Sequence, residues 1–223
     1  MWRMSYSMPM FRYFDHLETV TSTNEHLKAF VADGVPRITM ADEQTAGKGR
    51  YGHSWYSEKG KGLYVSFLAY PTWNAARAPF LTMIAALALI RALEAQGGSR
   101  LSPKIKSPND ILINQRKVAG ILTELSTQSE RIRWSIIGIG LNLYQKDFPE
   151  ELASKATSLL MEGMTTTDPL SLCQDISRHL ESGFRLLDEG QWKTVRQEFQ
   201  TYLQESPLGY AIEELPEGKN GSV

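Results

Sequence analysis

Between Gln44 and Trp55 the chain reads Gln-Thr-Ala-Gly-Lys-Gly-Arg-Tyr-Gly-His-Ser-Trp. Gly47, Gly49 and Gly52 are interleaved with Lys48 and Arg50, and an indole closes the stretch. Glycine admits positive φ and lets backbone N–H groups approach an anion closely. Lys48 and Arg50 offset phosphate or carboxylate charge, and Trp55 offers a flat face for stacking. The stretch is neither GxxxxGK[ST] nor a GxGxxG opening a helix, so on residue types alone it is a ligand loop or a solvated turn. Further on stand Lys106-Ser107-Pro108-Asn109-Asp110 and Arg116-Lys117-Val118-Ala119-Gly120-Ile121-Leu122. Pro-Asn-Asp is a common turn whose Asx side chains bond their own backbone; alternatively, Asp110 is a hard oxygen ligand for Mg²⁺ beside a triphosphate. Lys117, among apolar neighbours, is an edge charge that snorkels or a functional cation. Asn142, after Gly138-Ile139-Gly140-Leu141, is a turn or bulge residue or an amide that reads an adenine edge. Ser22-Thr23-Asn24 caps a helix or satisfies a polar ligand head. Together these groups suit the activation of a small acid by a nucleotide.

Such groups need a frame. Phe11–Leu17 is a first strand candidate, and Glu25–Phe30 a short helix behind the Thr21–Asn24 cap. Val35–Asp42 reads as a strand feeding the glycine loop, and Gly62–Leu68 alternates as another. A helix is predicted over residues 76–96, stopped by Gly97-Gly98. Pro103–Lys106 is a short strand, and Ile111–Ile113 and Val118–Leu125 flank Asn114-Gln115-Arg116 as a hairpin. Ile132–Leu143 reads as a buried strand whose Gly138 and Gly140 permit close backbone approach. From Pro169, the residues Cys173, Ile176, Leu180, Phe184 and Leu187 form one helical face. Gly190 breaks it, and Trp192, Val195, Phe199 and Tyr202 continue a second helix. Strands interspersed with helices and hairpins predict an α+β fold, a mixed β-sheet with flanking helices.

The bulk properties narrow the setting. The 223 residues suit one domain with a full core, or one domain and a small appendage. A formal net charge of −1 provides no global basic field for nucleic acid. Cys173 stands alone, which excludes an internal disulfide framework and fits a reducing compartment. His16, His26, His53 and His179 show no metal-ligand spacing. Met1–Tyr13 has no apolar signal core. The most apolar run, Ala78–Ile90, is shorter than the ~20 residues that span a bilayer and is expected to be a buried helix. A cytoplasmic protein with no membrane attachment is the resulting expectation.

In this order, Ser22-Thr23-Asn24, Gln44 through Trp55, Lys106–Asp110, Lys117–Leu122 with Glu124, and Gly138–Asn142 resemble the biotin protein ligases. The resemblance covers about Val20 to Leu143. The glycine–arginine loop with its trailing Trp is specific to that family; Pro-Asn-Asp followed by Lys-hydrophobic-small-Gly is shared with lipoate-attaching enzymes. The resemblance implies a sheet like that of class II aminoacyl-tRNA synthetases and two half-reactions. Biotin's carboxylate attacks the α-phosphate of ATP, and an acceptor lysine of a biotin carboxyl carrier protein then attacks the biotinyl-5′-AMP. It implies catalytic roles for Lys117, Arg50 and Lys48. It implies biotin contacts from Ser22, Thr23, Asn24, Gln44, Lys48, Gly49, Arg50, Lys117 and Gly120. ATP contacts would come from Arg50, Trp55, Asn109 and Asn142, and Asp110 would hold Mg²⁺. The chain departs from the pattern at Ser107, where the family usually has Trp, and at Lys48 and Tyr51, where many relatives carry Arg. The resemblance further implies a catalytic domain over residues 1–203, followed by a tail, 204–223, in place of the family's usual C-terminal domain of about 50 residues. Ser22 comes too early to leave room for a winged helix-turn-helix, so no sequence-specific DNA binding is expected. The fold allows a homodimer through paired sheet edges.

Overall fold

The structure, a computed structural model, describes residues 10–97, 101–164 and 168–204. The sequence alternates short β-branched and apolar runs with tight turns, and these make one seven-stranded sheet in the order β1-β2-β3-β7-β6-β5-β4. Its strands are β1 (Tyr13–Val20), β2 (Arg37–Gln44), β3 (Gly62–Ala69), β4 (Lys104–Lys106), β5 (Asp110–Ile113), β6 (Arg116–Gln128) and β7 (Arg131–Asn142). β1 runs parallel to β2 and every other pairing is antiparallel. The crossover between β1 and β2 contains the short helix α1 (Thr23–Lys28). The predicted mixed sheet with flanking helices is the fold observed.

One face of the sheet carries the main core. Leu63, Val65, Phe67 and Ala69 of β3 and Ile137, Ile139 and Leu141 of β7 project to the same side, as the two-residue strand period requires. They meet α2 (Pro79–Ala95), α4 (Pro169–Asp188) and α5 (Trp192–Tyr202). α2 is apolar on nearly all sides because it lies between the sheet and α4, which shields it from water. With its preceding turn it forms a helical stretch of 21 residues, Ala75–Ala95, long and apolar enough to meet the length test for a membrane span, yet 67% of its apolar window is buried inside the molecule. The expectation of a run too short to span is corrected in length, and the expected buried core helix is observed. α4 shows one apolar stripe, as its spacing predicts; it is capped by Asp168, whose carboxylate accepts from the Ser171 N–H. Burial of Cys173 in this stripe pushes its thiol up to about 12, so it is an inert apolar filler at neutral pH.

The opposite face is thinly covered. Leu27 of α1 packs on Leu68 and Ile136, with Phe30, Val31, Tyr70 and Trp134 around them. α1 sits at one end of this face, and the rest of it is left for the glycine loop.

Both ends of β6 were read short in the sequence. The hairpin before it turns on Asn114 and Gln115, both at positive φ (48° and 64°), so Arg116 already belongs to the strand. A second such turn at Ser129 and Glu130 (48° and 61°) joins β6 to β7 without a Gly to announce it. α3 (Glu150–Ala153) was not foreseen. Gly98, and the tail from residue 205 onward, lie outside the described residues.

Candidate active site

The floor of the site consists of missing side chains. Gly120 of β6 pairs with Gly140 of β7, and Gly138 stands opposite Ser66 of β3, all on the face that α1 covers in part. A Cβ on Gly138 would lie 2.3 Å from Oδ1 of Asn24, and one on Gly140 would lie 2.4 Å from the Trp55 indole. On Gly120 it would meet the same indole at 3.0 Å and the Lys117 side chain at 3.1 Å. The three glycines therefore cut a trough in an otherwise filled sheet, and Asn24, Trp55 and Lys117 lie in it.

At one end of the trough the groups are neutral and polar. Ser22 occupies the N-cap position of α1 with extended backbone, but its side chain makes no capping bond. Thr23 and Asn24 are turned onto the sheet instead, so the capping alternative is not realised. The Ser66 hydroxyl lies 2.7 Å from Thr23 Oγ1 and 2.6 Å from Asn24 Oδ1. The Thr23 N–H and hydroxyl both donate to Gln44 Oε1, at 2.8 and 3.1 Å, and the Gln44 amide donates to Ser57 at 3.0 Å. Asn24 donates to Glu124 at 2.8 Å. Buried amides and hydroxyls fixed in this way present their remaining donors and acceptors in a set direction.

The other end is cationic. Two residues of β6, Lys117 and Val118, occupy the space opposite a single step of β5, because the register passes from Ile111↔Ala119 to Leu112↔Lys117. This β-bulge reverses the alternation of the strand. Val118 and Ala119 both enter the core, and Lys117 emerges on the same face as Gly120. Its ammonium lies 2.7 Å from Asp110 and 5.2 Å from the centre of the Trp55 ring. Without the bulge, Lys117 would point with Ala119 into the helix layer.

The glycine loop closes over the trough. Lys48 and Ser54 form a β-bridge, Gly49 N–H donates to His53 at 2.7 Å, and Trp55 N–H donates to Gly47 at 2.9 Å. The turn at its tip puts Tyr51 at φ 56° and leaves that ring 87% exposed. Arg50 reaches inward to Asn109 Oδ1 at 3.3 Å, and the Asn109 amide donates to the Ile121 carbonyl at 2.9 Å. Lys48 is tied to Glu25 at 2.6 Å, and Lys28 bridges Glu25 to Glu124. The ammonium groups of Lys28 and Lys48 hold the Glu25 carboxyl below the usual carboxylate range.

One inner cavity of about 50 Å³ is lined by Ser22, Thr23, Asn24, Gln44, Lys48, Gly49, Arg50, Trp55, Asn109, Lys117 and Gly120, with Ile121, Leu122 and Gly138–Gly140 completing its wall. The lining includes the residues selected from sequence, save two. Asp110 sits behind the cavity on Lys117. Asn142 is 4% exposed, and its amide is taken up by the Thr157 carbonyl at 2.9 Å and by Gln145 at 3.4 Å. It braces the chain after β7 and does not line the cavity. Beyond the loop the cavity continues into an open cleft of about 950 Å³ between the loop, the start of α2 and the outer edge of β6. Sequence reasoning missed Glu25, Ser57 and Ser66, which aim Lys48, Gln44 and the Thr23–Asn24 pair. Ser66 falls on the Gly138 side of β3, a strand-parity signal that becomes readable only when the pairing is known.

The site is thus a glycine trough in a mixed sheet, with an amide–hydroxyl cluster at one end and converging cations at the other. Residues 17–142 match the biotin/lipoate A/B protein ligase family, and the chain belongs to it. It is 37% identical over 180 residues to the bifunctional ligase/repressor BirA of Bacillus spizizenii, covering 79% of this chain and 55% of that protein. The chain spans about half the length of the curated relatives it matches first. Among solved structures, the biotin protein ligase from Aquifex aeolicus in complex with biotin and ATP superposes with a TM-score of 0.73 at 30% identity, covering 86% of this chain and 79% of that one. The Leishmania major biotin protein ligase in complex with biotinyl-5-AMP gives 0.71 at 27% identity, covering 94% and 87%.

Proposed function

We propose that this chain activates biotin with ATP and transfers it to a lysine of a biotin carboxyl carrier protein or domain. The supporting observation is the single cavity that gathers the Thr23–Gln44 cluster, the loop cations and Lys117. The hydroxyl and amide groups at one end suit the ureido ring of biotin, which offers N–H donors and a carbonyl acceptor. Its carboxylate then points along the trough toward Lys117 and Arg50. A carboxylate oxygen attacks the α-phosphorus and pyrophosphate leaves. Two anions must meet for this, and Lys117 and Arg50, with Lys48 behind them, offset their repulsion and the charge that grows on the phosphoryl oxygens. In the second step the acceptor amine attacks the mixed anhydride, AMP leaves, and an amide forms. Trp55 stacks on the adenine, and Asn109 holds Arg50 and the nucleotide. Asn142 serves the nucleotide by keeping the end of β7 in place.

Among the described residues no three His, Cys, Asp or Glu side chains gather as a metal cage. Asp110 is a hard oxygen donor of the kind Mg²⁺ takes, but its carboxylate lies behind the cavity in an ion pair with Lys117, so it would hold the ion beside the triphosphate only by leaving that pair. The catalytic unit proposed runs through residue 203: Leu203 forms a bridge with Ile105, and Gln204 N–H donates to the same strand at 2.9 Å.

The inner cavity of about 50 Å³ is well below the ~300 Å³ of a small-molecule site, so the ligands extend into the open cleft beside the loop. The loop, lying over them, shields the anhydride from water. Arg50→Gly is expected to raise the rate at which biotinyl-5′-AMP escapes by about 100-fold, from loss of one charge-assisted contact and of the Asn109 tie. Retention of labelled adenylate on a desalting column measures this, and unchanged retention would remove Arg50 from the loop's hold on the adenylate.

The function itself is tested by pyrophosphate release with ATP and Mg²⁺, comparing biotin, lipoate, octanoate and no acid. Release with biotin alone is the expected result. Release with lipoate or octanoate in its place would reassign the acid, and biotin binding without release would make the chain a binder.

A further inference from the structure

The Lys117 bulge is held from outside the sheet. Lys117 N–H donates to the Lys155 carbonyl at 2.7 Å, and Thr157 N–H donates to the Lys117 carbonyl at 2.9 Å. Residues 155–157 thus form a parallel bridge along the bulged residue, where β5 no longer keeps step. The same segment reaches the other side of the site through the Asn142 amide on the Thr157 carbonyl. What fixes this strap is one carboxylate. Glu162, with a side chain only 5% exposed, accepts from Thr157 Oγ1 at 2.5 Å, from Asn114 Nδ2 at 2.7 Å and from the Arg116 guanidinium at 2.7 Å. It therefore ties the strap to the hairpin turn and to the residue immediately before Lys117. A buried carboxylate with three donors is well satisfied, and removing its charge weakens its hold on all three partners together. Burial would push its carboxyl up, but the bonds from Thr157 and Asn114 and the Arg116 charge hold it below the usual range, so it is ionised at neutral pH.

We propose that Glu162 is a positioning residue for Lys117, setting the aim of the ammonium through the strap and the hairpin turn without touching a substrate. The inference rests on the adenylation reading given above. Lys117 needs such support because a bulged residue has lost the ladder bonds that keep its neighbours in place, and a reacting group displaced by about 1 Å can lose up to about 100-fold in rate.

The test uses the full chain and its Glu162→Gln variant with two readouts. Amide hydrogen exchange at Lys117 and Thr157 is expected to accelerate about tenfold. kcat for biotin-dependent pyrophosphate release is expected to fall about tenfold, with KM for biotin within about twofold of the parent. A general loss of structure would instead lower the fraction of active sites, titrated with biotinyl-5′-AMP, and leave kcat per site unchanged. Lys117→Arg combined with Glu162→Gln is expected to cost less than the product of the two single losses, because both act on one contact. Thr157→Val, which removes only the hydroxyl bond to Glu162, should shift both readouts the same way by a smaller factor and serves if Glu162→Gln fails to fold. Wild-type kcat per site in a variant with faster exchange, or multiplicative losses in the double variant, would overturn the positioning role. Should the parent chain release no pyrophosphate with any acid, the adenylation reading falls, and unchanged exchange in Glu162→Gln would overturn the strap separately.

Discussion

Lys117→Ala is expected to lower biotin-dependent pyrophosphate release by about 100- to 1000-fold, the range seen when one preorganised charge-stabilising group is removed from an active site. The fold should survive. The Lys117 backbone bonds to Lys155 and Thr157 do not involve its side chain, which is 34% exposed, so its loss leaves no sealed cavity. Asp110, left without its partner, is itself 23% exposed and keeps access to water. The thermal midpoint should therefore move by only a few degrees, as for a change of about 1 kcal/mol. Rate and midpoint measured on the same preparation separate the two effects. Release within about threefold of the parent, against the loss expected from removing such a group, would withdraw Lys117 from the chemistry.

Gly140→Ala is expected to raise KM for ATP by about 10- to 100-fold, as loss of a base–aromatic stacking contact of ~1–3 kcal/mol implies. The added Cβ would stand 2.4 Å from the Trp55 indole, closer than any real contact, so the ring must leave the trough. Gly138→Ala makes the complementary test. Its Cβ would meet Asn24 Oδ1 at 2.3 Å and disturb the Thr23–Gln44 end, so KM for biotin should rise and KM for ATP should change little. Parallel effects of both variants on both substrates would show that the trough is not divided into an acid end and a nucleotide end.

The site was more legible in the sequence than the frame that aims it. Lys48, Arg50 and Trp55 stand in one unusual run, and their place over the trough follows from loop geometry that glycine spacing announces. Lys117 was visible as a charge among apolar neighbours, and Asn109 as part of the Pro-Asn-Asp turn. Asn142 was singled out on residue type and spacing, and the structure places its side chain beside the cavity and not in its lining. Its amide is engaged by a segment, residues 145–158, that carried no periodic signal. Apart from the single turn of α3 that segment is irregular, and irregular backbone is held by individual hydrogen bonds whose partners lie far away in sequence. The same reason hid Glu162. In the fold, strands with clean alternation were found within two or three residues of their ends. The Ser129–Glu130 turn was missed because neither residue is a usual carrier of positive φ.

The extra residue in β6 makes the candidate site sensitive to counting as well as to chemistry. From Asp110 to Gly120 the chain holds a phase, and a single insertion or deletion in the hairpin would either abolish the half-step at Lys117–Val118 or double it. In the first case the ammonium would turn with Ala119 into the helix layer; in the second, the residues before Lys117 would lose step with β5 while the β6–β7 ladder keeps Gly120 on Gly140. Neither error changes the identity of any residue. A segment under this constraint can accept substitutions at Asn114 or Gln115 that respect the turn, but not a change in its length, whereas the chain between Leu143 and Ser154, held at points and free of ladder phase, can lengthen without disturbing the reacting groups.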